Sequence, residues 1–495
     1  MIHFKNISKS FGGKPALEDI DLTIEKGSIH CLLGENGAGK TTLMNIFFGL
    51  FGATQGEIFV KETKLNFNSP KNAIDFGLGM IHQHFMLVPR LNVLENIIAG
   101  NEPKKGLLVD TDFASKRITK LSKTYNLAVD PHSVVETLSV GQQQRVEILK
   151  ALYRDAKILI FDEPTAVLTP DEVLQLFKIL RKLKSEGKTI IFITHKLDET
   201  MGISDFVTIL RRGKQIATLQ TKDTDAKQLA NMMVGRDVQF NYKSRSVEGD
   251  DEVLIKVEDL SVSLGLKKLN NINFEIATGE ILGVAGVDGN GQLELEEALV
   301  GIIKAKQGKI YYKNQDISNL SIAKRREFMG AISSDRLKYS MIKNFDLMNN
   351  SALGFQRKDS FSKGITLDYP TIASHTEKLI DEYDVRCEGP LQKASALSGG
   401  NQQKIVLAKE ISQDPKFIIV SQPTRGLDIG AIEFIHNLLL SLRDSGTTIL
   451  LISTELEEVL NLSDNIIVLY EGEIIGQSRN FTKQKLGLLM AGRSS

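Results

Sequence analysis

Short, unbroken apolar runs punctuate the chain, and each ends on a glycine or a polar residue. SIHCLL at 28–33 leads into Gly34, ILIF at 158–161 ends on Asp162 and Glu163, TIIFIT at 189–194 ends on His195, and FIIV at 417–420 ends on Ser421. Runs of this length bounded in this way predict buried strands, because a half-exposed strand would alternate. After the first run and its glycines, TTLMNIFFGL at 41–50 has helix-compatible spacing, which predicts the order strand, glycine loop, helix.

The order then starts again. IHFKNI at 2–7 matches LIKVED at 254–259 in rhythm, Gly34 aligns with Gly286 at an offset of 252, and MMVGR ending at Arg236 returns as LMAGR ending at Arg493. Solenoid repeats have periods of roughly 20–50 residues, so this one is a duplicated domain, and each copy has the size of one. We expect domains at 1–236 and 253–495. Residues 237–252, DVQFNYKSRSVEGDDE, are polar and charged with no sustained apolar period, and are expected to be a short solvated linker.

Composition narrows the partners. Hydrophobic residues are 42% and charged residues 25%, ordinary for domains with sizeable cores. Lys plus Arg equals Asp plus Glu at 61 each, so no overall field gathers nucleic acid or an anionic membrane, and no nucleic-acid partner is expected. Cys31 and Cys387 lie in different copies without metal-ligand spacing, which suits a reducing compartment and small buried apolar roles. The start, MIHFKNISKS, lacks the pattern of a secretory signal, and no run approaches the ~20 apolar residues that cross a bilayer. Any service to a membrane is expected to be that of a bound subunit.

Chemistry concentrates in the first copy. GENGAGKT at 34–41 is a P-loop in the required context. Gly34, Gly37 and Gly39 let backbone N–H groups turn towards phosphate oxygens at a helix start, with Glu35, Asn36, Ala38 and Thr42 completing the nucleotide-binding stretch. Lys40 would neutralise the β- and γ-phosphates, and the Thr41 hydroxyl would bind Mg²⁺. Asp162 is placed to hold Mg²⁺ through water, and Glu163 to accept a proton from attacking water. His195 would touch the γ-phosphate and keep water and Glu163 in line. Gln83, in MIHQHFMLVPRL, would sense Mg²⁺ and the γ-phosphate, while Phe11 offers a flat platform for adenine. The apolar stretch 85–88 reads equally as core or as a docking surface.

These residues resemble the ATP-binding cassette (ABC) family over nearly the whole chain. The defining string is LSVGQQQR at 138–145 and again LSGGNQQK at 397–404. The resemblance implies an α/β fold of two tandem P-loop domains, each with a mixed β core and a helical subdomain, packed head to tail. Each ATP then lies between the P-loop of one copy and the signature of the other. In that arrangement Ser398, Gly399 and Gly400, at a helix start, complete the cage around the γ-phosphate.

The second copy departs from the pattern. Its loop GVDGNGQL has Gln292 for the lysine and Leu293 for the Mg²⁺-binding hydroxyl; Ser421 and Gln422 replace the acids, Thr454 the histidine and Ser263 the aromatic. Gln422 cannot take a proton. Yet this copy keeps LSGGNQQK and Asp428 in RGLD, which in the family face the opposite nucleotide, whereas the first copy has Val140 in its signature and Thr169 in place of that aspartate. All intact parts converge on one composite site, and a homodimer of equivalent halves would mix intact with degraded parts.

Within the family, LSVGQQQRVEILKALYR, DEPTAVLTPDE and SQPTRGLDIGAI resemble the ATP subunits of bacterial simple-sugar and nucleoside importers, and IHQHFMLVP leans towards the nucleoside type. The resemblance implies a place on the cytoplasmic face of the inner membrane. It implies two permease domains docked beside Gln83 and its counterpart near Ser334, and an external solute-binding protein. The alternative, a soluble cassette protein acting on ribosomes or nucleic acid, would usually bring a basic arm or clustered cysteines. An exporter would usually carry fused membrane helices.

Overall fold

The computed structural model describes residues 1–237 and 252–493, apart from 66, 68, 84, 166, 167, 169, 265, 266, 357, 359 and 365. Thr169, and the expected linker except for Asp237 and Glu252, lie outside the described residues. Internal contacts divide the chain into two compact units, 1–238 and 239–495.

In the first unit the apolar runs become a six-stranded sheet in the order Lys214–Gln220, Phe206–Arg211, Ile29–Leu33, Thr189–Thr194, Ile158–Asp162, Leu78–Ile81. All pairings are parallel except the hairpin formed by the first two strands. Ile29–Leu33, Thr189–Thr194 and Ile158–Asp162 are buried along their whole length, as their unbroken apolar composition requires. Register matters most for function: Thr194 pairs with Leu33 and Ile193 with Asp162. The carboxyl ends of three strands therefore finish side by side, and the residues that follow them, Gly34, Glu163 and His195, emerge at one edge. This is where open α/β sheets bind ligands.

A second sheet, antiparallel, places Ile2–Phe11 between Lys14–Ile24 and Gln55–Val60, with Thr63–Leu65 outside. Its inner face packs on the helix Lys40–Phe47: Phe4 and Phe47 are both buried and meet edge to face at 5.3 Å. Truncating either ring to alanine would cost about 3–5 kcal/mol. The helices Val93–Ile98, Thr111–Tyr125 and Val140–Tyr153 form the helical part.

The second unit repeats this plan. Its six-stranded sheet runs Glu473–Ser478, Asn465–Tyr470, Ile281–Ala285, Thr448–Ser453, Phe417–Ser421, Met329–Ile332, beside an antiparallel sheet centred on Val253–Leu264. Cys31 is fully buried with its thiol 3.2 Å from Thr200 Oγ1, and burial pushes its pKa up to about 12, which makes it inert. Cys387 is only half-buried, less enclosed than a small apolar core role implies. No helix among the described residues is long and apolar enough to cross a membrane.

Candidate active site

The loop 34–39 turns tightly because its glycines permit it. Gly39 has φ +101°, and a Cβ there would lie 2.5 Å from Leu17 Cδ2 and 2.9 Å from the Ala16 carbonyl. The helix Lys40–Phe47 starts immediately afterwards, with Gly39 as its N-cap and no side-chain cap, so its first N–H groups remain available to an anion. The Lys40 ammonium is buried and donates to the carbonyls of Gly34 (2.6 Å) and Glu35 (2.9 Å), curling the loop around itself. Burial holds its pKa below the ordinary value, although the charges of Glu163 and Asp162 work the other way.

Thr41 donates its hydroxyl to Asp162 Oδ1 at 3.3 Å. Asp162 is 4% exposed; burial raises its pKa to about 6 against the Thr41 hydrogen bond, with Glu163 adding to the rise and Lys40 opposing it. A buried carboxylate short of positive charge beside a hydroxyl oxygen is a hard donor pair of the kind Mg²⁺ takes.

Glu163 follows the strand with φ +46°, a left-handed conformation that turns the chain sharply while its N–H donates to the Ile193 carbonyl at 3.0 Å. The turn sends its carboxylate away from Asp162 and between two partners: His195 Nδ1 lies 3.2 Å from Oε1, and Gln83 Nε2 donates to Oε2 at 3.2 Å. Burial pushes this carboxyl upwards, but the His195 hydrogen bond and charge, with Lys40 and Lys196, outweigh it and leave the pKa below the usual value. Glu163 is thus kept ionised as a pure acceptor. With Nδ1–H directed at the carboxylate, His195 keeps Nε2 for another partner.

Phe11 ends its strand about half exposed (49%), with Phe51 edge-on at 5.4 Å and Lys9 Nζ over both rings at 5.2 and 5.1 Å. Phe51 itself packs on the core. The stretch 85–88 is not core: Met86 and Val88 are 63% and 52% exposed, while Phe85 and Leu87 are half-buried.

Of the expected residues, Lys40, Thr41, Asp162, Glu163, His195 and Gln83 all belong to the first unit, where Thr41 bonds Asp162, Glu163 bonds His195 and Gln83, and the Lys40 ammonium feels the charge of both acids. Ser398, Gly399, Gly400 and Asp428 belong to the second. There Ser398 caps the helix Gly399–Ile411, Asp428 caps Ile429–Asp444 by accepting from Ala431 N at 2.8 Å, and a Cβ on Gly400 would come within 3.9 Å of Asp428 Oδ2.

Sequence reasoning passed over the support beneath the cluster. Buried Glu199 accepts the hydroxyls of Thr165 (2.5 Å) and Thr194 (2.9 Å), bracing the two strand ends that carry Glu163 and His195. Gln144 ties the signature helix to the Pro164 carbonyl at 2.8 Å. The repeat carried the signal, since Thr424 donates to Glu458 at 2.7 Å in the second unit. Phe51 and Lys9 gave no signal in sequence.

In the second unit Gln292 folds into its own loop, donating to the Val287 carbonyl at 2.9 Å and accepting from Asn290 N–H at 3.1 Å. Asn290 Oδ1 also accepts from Glu471 N–H at 2.9 Å, so this loop is braced to a neighbouring turn. Leu293 offers no oxygen, and at Ser421 and Gln422 there is no carboxylate.

Fold and loop together define a tandem pair of P-loop nucleotide-binding cassettes. The chain belongs to the ABC transporter family, whose family model matches residues 17–166 and 269–425, and it is an ATP-binding ATPase. It is 48% identical to the nucleoside import ATP-binding protein NupA of Lactococcus lactis subsp. cremoris, over 99% of this chain and 98% of that one. It is 47% identical to the guanosine import ATP-binding protein NupO of Bacillus subtilis, over 99% and 97%. Against the ribose import ATP-binding protein RbsA of Lactococcus lactis subsp. cremoris the figure is 41%, over 96% of each. A solved complex of archaeal ribosomal stalk protein aP1 with the archaeal ribosome recycling factor aABCE1 shares the fold, with a TM-score of 0.65 at 17% identity, covering 95% of this chain and 90% of that chain.

Proposed function

We propose that the chain is the ATP-hydrolysing subunit of an importer for nucleosides or simple sugars, built from domains 1–236 and 253–495 with a linker at 237–252. One observation carries the reading of a single competent site. The first unit holds Lys40 in its loop, Thr41 on Asp162, and Glu163 between His195 and Gln83, whereas the second unit has Gln292, Leu293, Ser421, Gln422 and Thr454 at the equivalent positions yet keeps LSGGNQQK and Asp428. The two units pair head to tail during turnover, so that Ser398, Gly399 and Gly400 close over the γ-phosphate held by the first loop.

Within that site Lys40 and the N–H groups of 34–42 bind the phosphates, and Phe11 stacks on the base. Thr41, Asp162 and Gln83 are the oxygen donors that suit Mg²⁺, which when bound neutralises phosphate charge. Glu163 accepts the proton of the attacking water, and His195 holds carboxylate and γ-phosphate in line through its two ring nitrogens.

The subunit acts at the cytoplasmic face of the cell membrane, bound to two permease domains and served by an external solute-binding protein. The exposed Met86 and Val88 beside Gln83, and the region of Ser334, are the docking positions. The names of the relatives support nucleosides ahead of sugars.

The test is ATPase stimulation in membranes holding this protein, its permease and binding protein, challenged with nucleosides and simple sugars. Stimulation by nucleosides is expected. Stimulation by a sugar alone would discard the nucleoside preference. Co-sedimentation with ribosomes or DNA, without a membrane partner, would overturn the transport reading.

A further inference from the structure

The stretch that follows the strand Met329–Ile332 is longer than its equivalent in the first unit. Ile332 to Ser340, whose carbonyl accepts Lys409 Nζ at 2.7 Å, is three residues longer than Ile81 to Met86, whose carbonyl accepts Lys150 Nζ at 2.9 Å. The added length carries Arg336. Its Nε donates to Gln402 Oε1 at 3.2 Å, and its Nη2 lies 3.1 Å from where a Cβ on Gly399 would stand. Gln402 is buried and donates from Nε2 to the carbonyls of Ala394 (3.0 Å) and Leu397 (3.3 Å), on the approach to Ser398.

Gln402 and Lys409 are seven residues apart on the helix Gly399–Ile411, two turns, and so share one face. The stretch 333–345 thus holds that face at both ends, and Tyr339 ties it to the helix Gln292–Val300 by donating to Glu297 Oε1 at 2.6 Å. In the first unit Gln143 donates to the Leu138 carbonyl at 3.1 Å, and the shorter stretch 82–86 contains no guanidinium. The placement of Arg336 is also electrically costly, since a cation beside a helix N-terminus opposes the dipole. An anion arriving at Ser398 would relieve that conflict.

We propose that Arg336 is a positioning residue for hydrolysis: it holds the start of the helix Gly399–Ile411, so that the presentation of Ser398, Gly399 and Gly400 follows the stretch 333–345. That stretch is the counterpart of the one carrying Gln83, so a movement of a partner docked there reaches the signature directly. The proposal rests on the reading that this signature serves the nucleotide of the first unit.

The test measures kcat of the full chain beside the Kd of a hydrolysis-resistant ATP analogue and the melting temperature. Arg336→Met should lower kcat roughly tenfold, the loss expected for a hydrogen bond to a charged group, with the analogue's Kd unmoved. Arg336→Lys should recover part of the rate, and Gln402→Leu should copy Arg336→Met. The double variant should be no slower than the slower single one, because both break one link. A kcat within about twofold of wild type for Arg336→Met, or additive losses in the double variant, overturns the proposal. So does a fall in melting temperature with equal loss of analogue binding, which would make the residue structural. Ser398→Arg separates the two readings: if that variant still hydrolyses ATP, the shared-site reading fails, and if it is dead while Arg336→Met is active, only the role of Arg336 falls.

Discussion

Thr454 donates its hydroxyl to Gln422 Oε1 at 3.1 Å, in the place where His195 meets Glu163 at 3.2 Å in the first unit. The backbones match as well, with φ +48° at Gln422 and +46° at Glu163. The second unit keeps the geometry of the carboxylate and its partner without the carboxylate's chemistry, because an amide and a hydroxyl hydrogen-bond equally well but move no proton at neutral pH.

Glu163→Gln in the first unit should therefore preserve shape and remove function. Turnover is expected to fall ~10²- to 10⁴-fold, the usual worth of a general base, while ATP stays bound. Parallel ATPase and nucleotide-binding measurements check this, and weakened binding would mean that Glu163 holds the nucleotide.

Gln422→Ala should change turnover little, since nothing at that position can accept a proton from water. A rate loss comparable to that of Glu163→Gln would show that the second site works and would sink the single-site reading.

Ser398→Arg should cripple hydrolysis although it lies in the unit with the altered loop. The added side chain would fill the start of the helix Gly399–Ile411, where the γ-phosphate is expected. Full activity in a steady-state assay would mean that the first unit completes its site in another way.

His30 links stability to acid. It is buried with Nε2 2.8 Å from Thr208 Oγ1, and burial lowers its pKa from 6.5 to about 4. The unfolded chain thus binds a proton more readily than the folded one. The contribution is fully present above pH 6.5 and is lost as pH falls towards 4, amounting to roughly 3 kcal/mol across that window. Denaturant titrations should show His30→Gln less sensitive to pH between 6.5 and 4 than wild type; an unchanged slope would place the acid sensitivity elsewhere.

The strands, the glycine loop and the strand-end groups were legible because each needs a run of fixed composition: unbroken apolar residues for a doubly covered strand, glycines for positive φ, an acid or histidine at the carboxyl end. Glu199 was not legible. It sits within the helix Leu197–Ile203 and looks like a solvated helix acid until the fold folds it beneath two strand ends. Arg336 is hidden for a similar reason, since its partner Gln402 lies 66 positions away and nothing local announces the pair. The exposure of Met86 and Val88 sets aside the core reading that periodicity left open, because an apolar stretch reads alike whether it is covered by its own chain or awaits another.

Ser398 holds its helix with lone pairs alone, accepting from Asn401 N at 3.4 Å and Asn401 Nδ2 at 2.9 Å. A hydroxyl has a hydrogen as well, and the cap does not use it. The grip on a phosphate oxygen proposed for Ser398 could therefore be made and released without loosening the first turn of the helix, like a latch whose bolt is separate from its hinge.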